Sequence, residues 1–350
     1  MRILIFGAGP LGSLLAARLH QGGQDVTLLA RGQRLLDLKK HGLCLKSWTT
    51  QKEESIPVRL IDKLNPDDFY DLILVVMRKN SAIKVLPALK ENSSRQIAFL
   101  MNNAAGPDIL VDALGQDRVL IGFPGAAGYR DEYKIVHLNG EPERPMVVYL
   151  GETGGGETDR VAWIAEEIEK GKFIQVVIQP QMDAWSKYHV ALLFPSLAPA
   201  FYLCNHDRLR VADTRDAVVL AYRAMKEGFS VLKKMGYPIT PKSLNRFLWL
   251  PEPVVVAFLQ KLLRNPRMEI AMEKHAKAAQ DEIAQLIEEF MVLVDQSGVF
   301  TPNIKFLVSQ FQSRAPALPV GSRSIRLHWE GVILPFLILV LLVLVLALIF

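Results

Sequence analysis

Gly7, Gly9 and Gly12 stand in the order G-x-G-x-x-G inside Ile5-Phe6-Gly7-Ala8-Gly9-Pro10-Leu11-Gly12. That spacing suits the cradling of phosphates. Gly7 allows a tight turn, Gly9 lets backbone approach a pyrophosphate, and Gly12 lets a helix pack close to a strand. The apolar run Met1-Arg2-Ile3-Leu4 precedes the motif and the helix-like Ser13-Leu14-Leu15-Ala16-Ala17-Arg18-Leu19 follows it. A buried strand therefore feeds a helix whose positive N-terminal end faces the phosphates. Gly7, Ala8, Gly9, Pro10, Leu11 and Gly12 are the expected cofactor-binding loop. A second strand, Asp25-Val26-Thr27-Leu28-Leu29-Ala30-Arg31, ends in arginine, and no acid follows before Asp37. A carboxylate at that strand end would bind a ribose 2′-hydroxyl, whereas a guanidinium grips a 2′-phosphate bidentately. Arg31, with Arg34, Lys39 and Lys40 close behind, thus points to NADP (NADPH) rather than NAD.

These elements belong to a chain of alternating strands and helices. Asp71–Val76 and Ile97–Met101 read as buried parallel strands, and Val119–Gly122 and Met146–Gly151 as later strands of the same sheet. The glycine-rich Glu152–Glu157 lacks a following Lys-Ser/Thr pair and reads as a linker turn. After about residue 180 the apolar pattern is helical. The fold class expected is α/β: an N-terminal Rossmann-type doubly wound sheet, an all-helical C-terminal domain, then one transmembrane helix. The corresponding boundaries are 1–178 for nucleotide binding, 179–313 for the helical catalytic domain, 314–330 for a spacer and 331–350 for an anchor. Residues 331–350 carry no charged or polar side chain, and twenty residues at about 1.5 Å each match a hydrocarbon core of roughly 30 Å. The expectation is a single C-terminal pass through a lipid bilayer, with the preceding domains cytoplasmic.

Composition narrows the remaining classes. The net charge of +5 is spread along the chain with no basic run, which argues against nucleic acid and suits a phosphorylated cofactor. Cys44 and Cys204 lie far apart, in no metal or redox spacing. No metal is expected, the partner is a small-molecule carbonyl substrate, and a homodimer is left open.

Four stretches resemble the ketopantoate reductase (2-dehydropantoate 2-reductase) family over roughly residues 1–313. They are Leu28-Leu29-Ala30-Arg31-Gly32-Gln33 with His41-Gly42-Leu43; Arg78 (or Lys79) and Asn103 after two successive strands; Ala184-Trp185-Ser186-Lys187; and Asp281-Glu282-Ile283 ahead of Pro302-Asn303. The resemblance implies NADPH-dependent reduction of a carbonyl. Such a reaction leaves negative charge on oxygen, which a cation or general acid must stabilise and protonate. It implies that Lys187 is the catalytic lysine. Glu282 would bind a substrate hydroxyl and help position that lysine. Arg78 and Asn103 would lie near the nicotinamide and substrate.

The chain departs from the family pattern where that family fixes a small polar keto-acid. Ala191 and Phe194 or Pro195 stand where asparagines are usual. Glu269-Ile270-Ala271 stands where a serine is usual, and Asn103-Ala104 replaces Asn-Gly. Each missing hydrogen-bond partner costs about 1–3 kcal/mol, so such a pocket favours a more apolar substrate than ketopantoate. Tyr188 and His189 are either replacement donors or helix-packing residues. Two readings follow: a reductase with an altered substrate pocket, and a catalytically inactive NADPH-binding or sensing protein tethered to a membrane.

Overall fold

A computed structural model describes residues 1–274, 277 and 279–329. The described residues divide into two compact units, one drawn from 1–190 and 269–293 and the other from 191–268 and 294–329. The first unit therefore holds the glycine motif together with Lys187 and Glu282.

Its strands begin with β1 (Arg2–Phe6), β2 (Asp25–Leu29), β3 (Leu43–Ser47), β4 (Glu53–Ile56), β5 (Arg59–Ile61), β6 (Leu72–Val75) and β7 (Ile97–Leu100), of which β3 and β4 belong to a second, smaller sheet. Further along come β8 (Val119–Gly125), β9 (Gly128–Asp131), β10 (Lys134–His137), β11 (Met146–Glu152) and β12 (Ile174–Ile178). The eight-stranded sheet has the order β12-β11-β8-β7-β6-β1-β2-β5. All its pairs are parallel except β8 with β11. The expected strands at 71–76, 97–101, 119–122 and 146–151 are all in it. Strand order reverses between β2 and β6 on either side of β1, the place where open α/β sheets bind ligands at the carboxyl ends of their strands.

Burial on both faces explains why β1 is apolar without alternation. Ile3 and Ile5 pack into a core with Leu14, Leu15 and Leu28, while Leu4 and Phe6 pack into the opposite core with Val85, Leu86 and Phe99. The helices here are α1 (Pro10–Gln21), α2 (Gly32–His41), α3 (Lys79–Glu91), α4 (Asp108–Leu114), α5 (Asp159–Glu169) and α6 (Met182–Leu192). The second sheet, order β4-β3-β10-β9, packs against α1. Sequence patterning did not announce it, because its strands are short and share no burial pattern: Leu43–Ser47 buries alternate residues and Gly128–Asp131 buries none.

The second unit is helical, as expected. Its longest helix, Arg215–Lys234, packs against Glu252–Arg264 and Pro302–Gln312. Residues 318–329 are bound along this unit. Asp216 accepts hydrogen bonds from Ser322 Oγ and from the amides of Ser324 and Ile325, and the amide of His328 donates to Glu252.

The expected membrane location requires correction. Among the described residues, no helix is long and apolar enough to cross a membrane, and the stretch 331–350 chosen for the anchor lies outside the described residues. The transmembrane helix, the lipid partner and the single-pass topology are accordingly withdrawn.

Candidate active site

The glycine loop closes β1 onto α1. Gly7 has φ +130°, and a Cβ there would stand 2.4 Å from the Val76 carbonyl oxygen, so only glycine lets the loop lie against the end of β6. A Cβ on Gly12 would stand 2.0 Å from the Gly7 carbonyl oxygen. At Gly9 a Cβ would meet nothing within 4 Å. Gly9 is the N-cap of α1, Pro10 opens the helix, no side chain caps it and its first turn holds no acid. An amide-lined, uncapped helix end beside an open glycine fits an anionic phosphate group.

Arg31 is exposed just after β2. Arg34 is different. It is buried; Nε donates to the Ala8 carbonyl at 3.2 Å, Nη1 to the Tyr133 carbonyl at 2.8 Å and Nη2 to Ser13 Oγ at 3.2 Å. Burial, then the charge of Arg130, lowers its pKa from the usual arginine value. Arg34 therefore braces the glycine loop from below, a role that its position three residues after Arg31 did not reveal.

β1, β6 and β7 are adjacent and parallel, so the residues after them emerge side by side. After β6 come Arg78 and Lys79, neighbours with separate fates. Arg78, with an extended backbone at the cap of α3, is half-exposed; it donates to Asp281 Oδ1 at 2.7 Å and lies 3.8 Å from Glu282 Oε2. Asn80 also donates to Asp281, at 2.9 Å. That hydrogen bond, with the charge of Arg78, holds the Asp281 carboxyl below its ordinary pKa. Lys79 is 2% exposed, and its Nζ donates to Asn103 Oδ1 at 2.7 Å and to Glu289 Oε2 at 2.8 Å. Burial lowers the Lys79 pKa, against the pull of Glu289 and with the repulsion of Lys187. Of the two candidates at this strand end, Lys79 is the buried one.

After β7, Asn103 pins its own loop: Nδ2 donates to the Gly106 carbonyl at 2.8 Å and Oδ1 accepts from the Gly106 amide at 3.1 Å. Asn102 Nδ2 donates to Glu282 Oε1 at 3.1 Å, while Asn102 Oδ1 is buried with no hydrogen-bond partner among the described residues. The opposite amide orientation would set Oδ1 against a carboxylate, so the hydrogen bond fixes the assignment. Glu282 itself is 4% exposed. Both it and Glu289 come from the helix Gln280–Ser297. Seven residues is about two helical turns, so the two carboxylates share a face.

Lys187, on α6, is 2% exposed, and its Nζ donates to the Asp183 carboxylate one turn earlier. The loop after β7 passes beside it: a Cβ on Gly106 would stand 3.3 Å from Lys187 Nζ. Trp185 holds α6 to the sheet by stacking on Tyr149 at 4.4 Å and on His189 at 5.1 Å, with Phe123 tilted against both. His189 thus belongs to an aromatic cluster. Tyr188 is fully buried, and burial pushes its phenol up to about 12. Lys79 was named only as an alternative to Arg78, while Asp183, Glu289 and Asn102 carried no signal strong enough to be singled out from the sequence. The i, i+4 spacing of Asp183 with Lys187 and the seven-residue spacing of Glu289 from Glu282 were the available signals.

The chain is similar to known proteins in sequence and in fold. The family model described as Ketopantoate reductase PanE/ApbA matches residues 3–152. The chain is 25% identical to a 2-dehydropantoate 2-reductase of Archaeoglobus fulgidus over 271 residues, covering 77% of this chain and 87% of that protein. A 2-dehydropantoate 2-reductase from Geobacter metallireducens has a similar fold, with a TM-score of 0.73 at 16% identity over 90% of this chain and all of that one. So does D-mandelate dehydrogenase in its ternary structure with NADH and anilino(oxo)acetate, with a TM-score of 0.73 at 16% identity over 90% of this chain and 98% of that one.

Proposed function

We propose that this ketopantoate-reductase-like oxidoreductase is an NADPH-dependent reductase of a keto-acid or other carbonyl compound, with a substrate pocket unlike that of its relatives. The observation that carries the reading is Lys187. It is a buried ammonium paired with Asp183, beside a loop that Asn103 pins at the carboxyl end of the sheet.

In this reading the loop Gly7–Gly12 and the first turn of α1 hold the pyrophosphate. Arg31 takes the 2′-phosphate, and Arg34 keeps the loop in shape. Bound NADPH supplies a hydride to the carbonyl carbon. Lys187 Nζ hydrogen-bonds the carbonyl oxygen, stabilises the charge that develops there and gives it a proton. Asp183 holds the ammonium in place through its hydrogen bond. Glu282, oriented by Asn102 and Arg78, accepts a hydrogen bond from a substrate hydroxyl. Lys79 and Asn103 fix the loop against which the substrate rests.

The test is loss of NADPH absorbance with the full chain across ketones, aldehydes, keto-acids and their amides, alongside NADPH binding measured by fluorescence. Turnover with any of these supports a reductase. Tight NADPH binding with no turnover across the whole panel would favour the sensing reading instead.

A further inference from the structure

Three cations and four carboxylates meet in the cluster just described: Arg78, Lys79 and Lys187 against Asp183, Asp281, Glu282 and Glu289. Each cation already has a carboxylate of this chain as a partner, and the named groups together are net negative. Glu289 is the decisive one. Its Oε2 accepts from Lys79 Nζ at 2.8 Å and from the consecutive amides of Ala104 and Ala105 at 3.3 and 3.2 Å. Gln285 Nε2 holds the other oxygen at 2.9 Å. An ammonium with two successive backbone amides is what binds a carboxylate, and here the chain fills that place with its own. Asn102 Oδ1 adds a buried acceptor with no partner among the described residues, a place for a donor and an unfavourable neighbour for an anion.

We infer that Glu289 selects against carboxylate substrates, and that the site reduces uncharged carbonyl compounds bearing a hydrogen-bond donor, such as 2-oxo-amides. The inference rests on the reductase reading and narrows its substrate class. A substrate carboxylate would have to displace Glu289 from three donors and then lie in a net-negative cluster. A primary carboxamide of the same shape avoids that repulsion and offers N–H groups to Asn102 Oδ1 or a carboxylate. This is specificity by an element that repels the wrong substrate as well as one that attracts the right one.

The experiment compares matched pairs of 2-oxo acids and their primary amides, with straight, branched and aryl side chains, reduced by the full chain with NADPH. The wild-type protein should favour the amide of each pair in kcat/KM by tenfold or more. Glu289→Gln, which keeps the shape and removes the charge, should shift the ratio at least tenfold toward the acid. Glu289→Asp, which keeps the charge, should retain the amide preference. Preference of the wild-type protein for the acids would overturn the inference and leave the reductase reading standing; so would an unchanged ratio in Glu289→Gln. Failure to reduce either member of every pair while NADPH binds would overturn the inference and count against the reductase reading as well.

Discussion

Lys79 Nζ and Glu289 Oε2 lie 2.8 Å apart across 210 residues of chain, joining the carboxyl end of β6 to the helix Gln280–Ser297. The pair is largely buried, with side-chain exposures of 3% and 15%. Desolvation makes such a pair a poor source of net stability but costly to break. Lys79→Met should therefore destabilise the protein by about 3–5 kcal/mol, the usual cost of stranding one buried partner. Lys79→Met combined with Glu289→Leu should recover much of that loss. Chemical denaturation of the two single variants and the double variant reads the coupling. Additive losses would show that the ion pair joins nothing.

Arg31 and Arg34 separate affinity for the 2′-phosphate from integrity of the loop. Arg31→Ala should weaken NADPH binding by about 1–3 kcal/mol, the range of a charge-assisted contact, and leave NADH nearly unchanged. Arg34→Ala removes hydrogen bonds to Ala8 and Ser13, so it should weaken both cofactors alike. Isothermal titration of each variant with both cofactors gives the answer. Equal losses for the two cofactors in Arg31→Ala would remove the case for NADP specificity.

Asp216 provides an acid-sensitive tie. Burial alone would raise its pKa, but hydrogen bonds from Ile325, Ser322 and Ser324 outweigh that and hold it below the ordinary 3.8. A carboxyl depressed in the folded state contributes stability above its unfolded value and loses it as pH falls through the folded value. Protection of the Ser324 and Ile325 amides, taken as the ratio of intrinsic to observed exchange rate, should therefore fall only below about pH 4. Asp216→Asn should show the faster exchange at neutral pH, with a loss of about 1–3 kcal/mol from weakened buried hydrogen bonds. Exchange in Asp216→Asn indistinguishable from wild type would dismiss the tie.

The frame of this site was legible because it depends on strong local rules. A strand buried on both faces must be apolar throughout, and a loop pressed against β6 tolerates no Cβ at Gly7. Lys187 and Glu282 were legible only through likeness to a family, since a lysine at a helix start and a glutamate on an amphipathic helix look ordinary by themselves. Arg78 and Lys79 could not be ranked from sequence. Adjacent residues at a helix start point in different directions, and the extended backbone of Arg78 turns its side chain outward while Lys79 turns in. Glu288, exposed, and Glu289, partly buried, pose the same problem on the helix Gln280–Ser297. The small sheet β4-β3-β10-β9 was missed because β3 pairs with β10 in parallel across some ninety intervening residues, and no local pattern encodes such pairing.

In the proposed reaction Lys187 carries the charge of the reacting oxygen. The direct measurement is kcat for carbonyl reduction by Lys187→Ala beside the dissociation constant for NADPH in the same preparation. Turnover should fall by about 100-fold or more, as removal of a general acid requires, with NADPH affinity within about twofold of wild type, because the glycine loop and Arg31 are untouched. Turnover by Lys187→Ala within a few-fold of wild type would contradict the account.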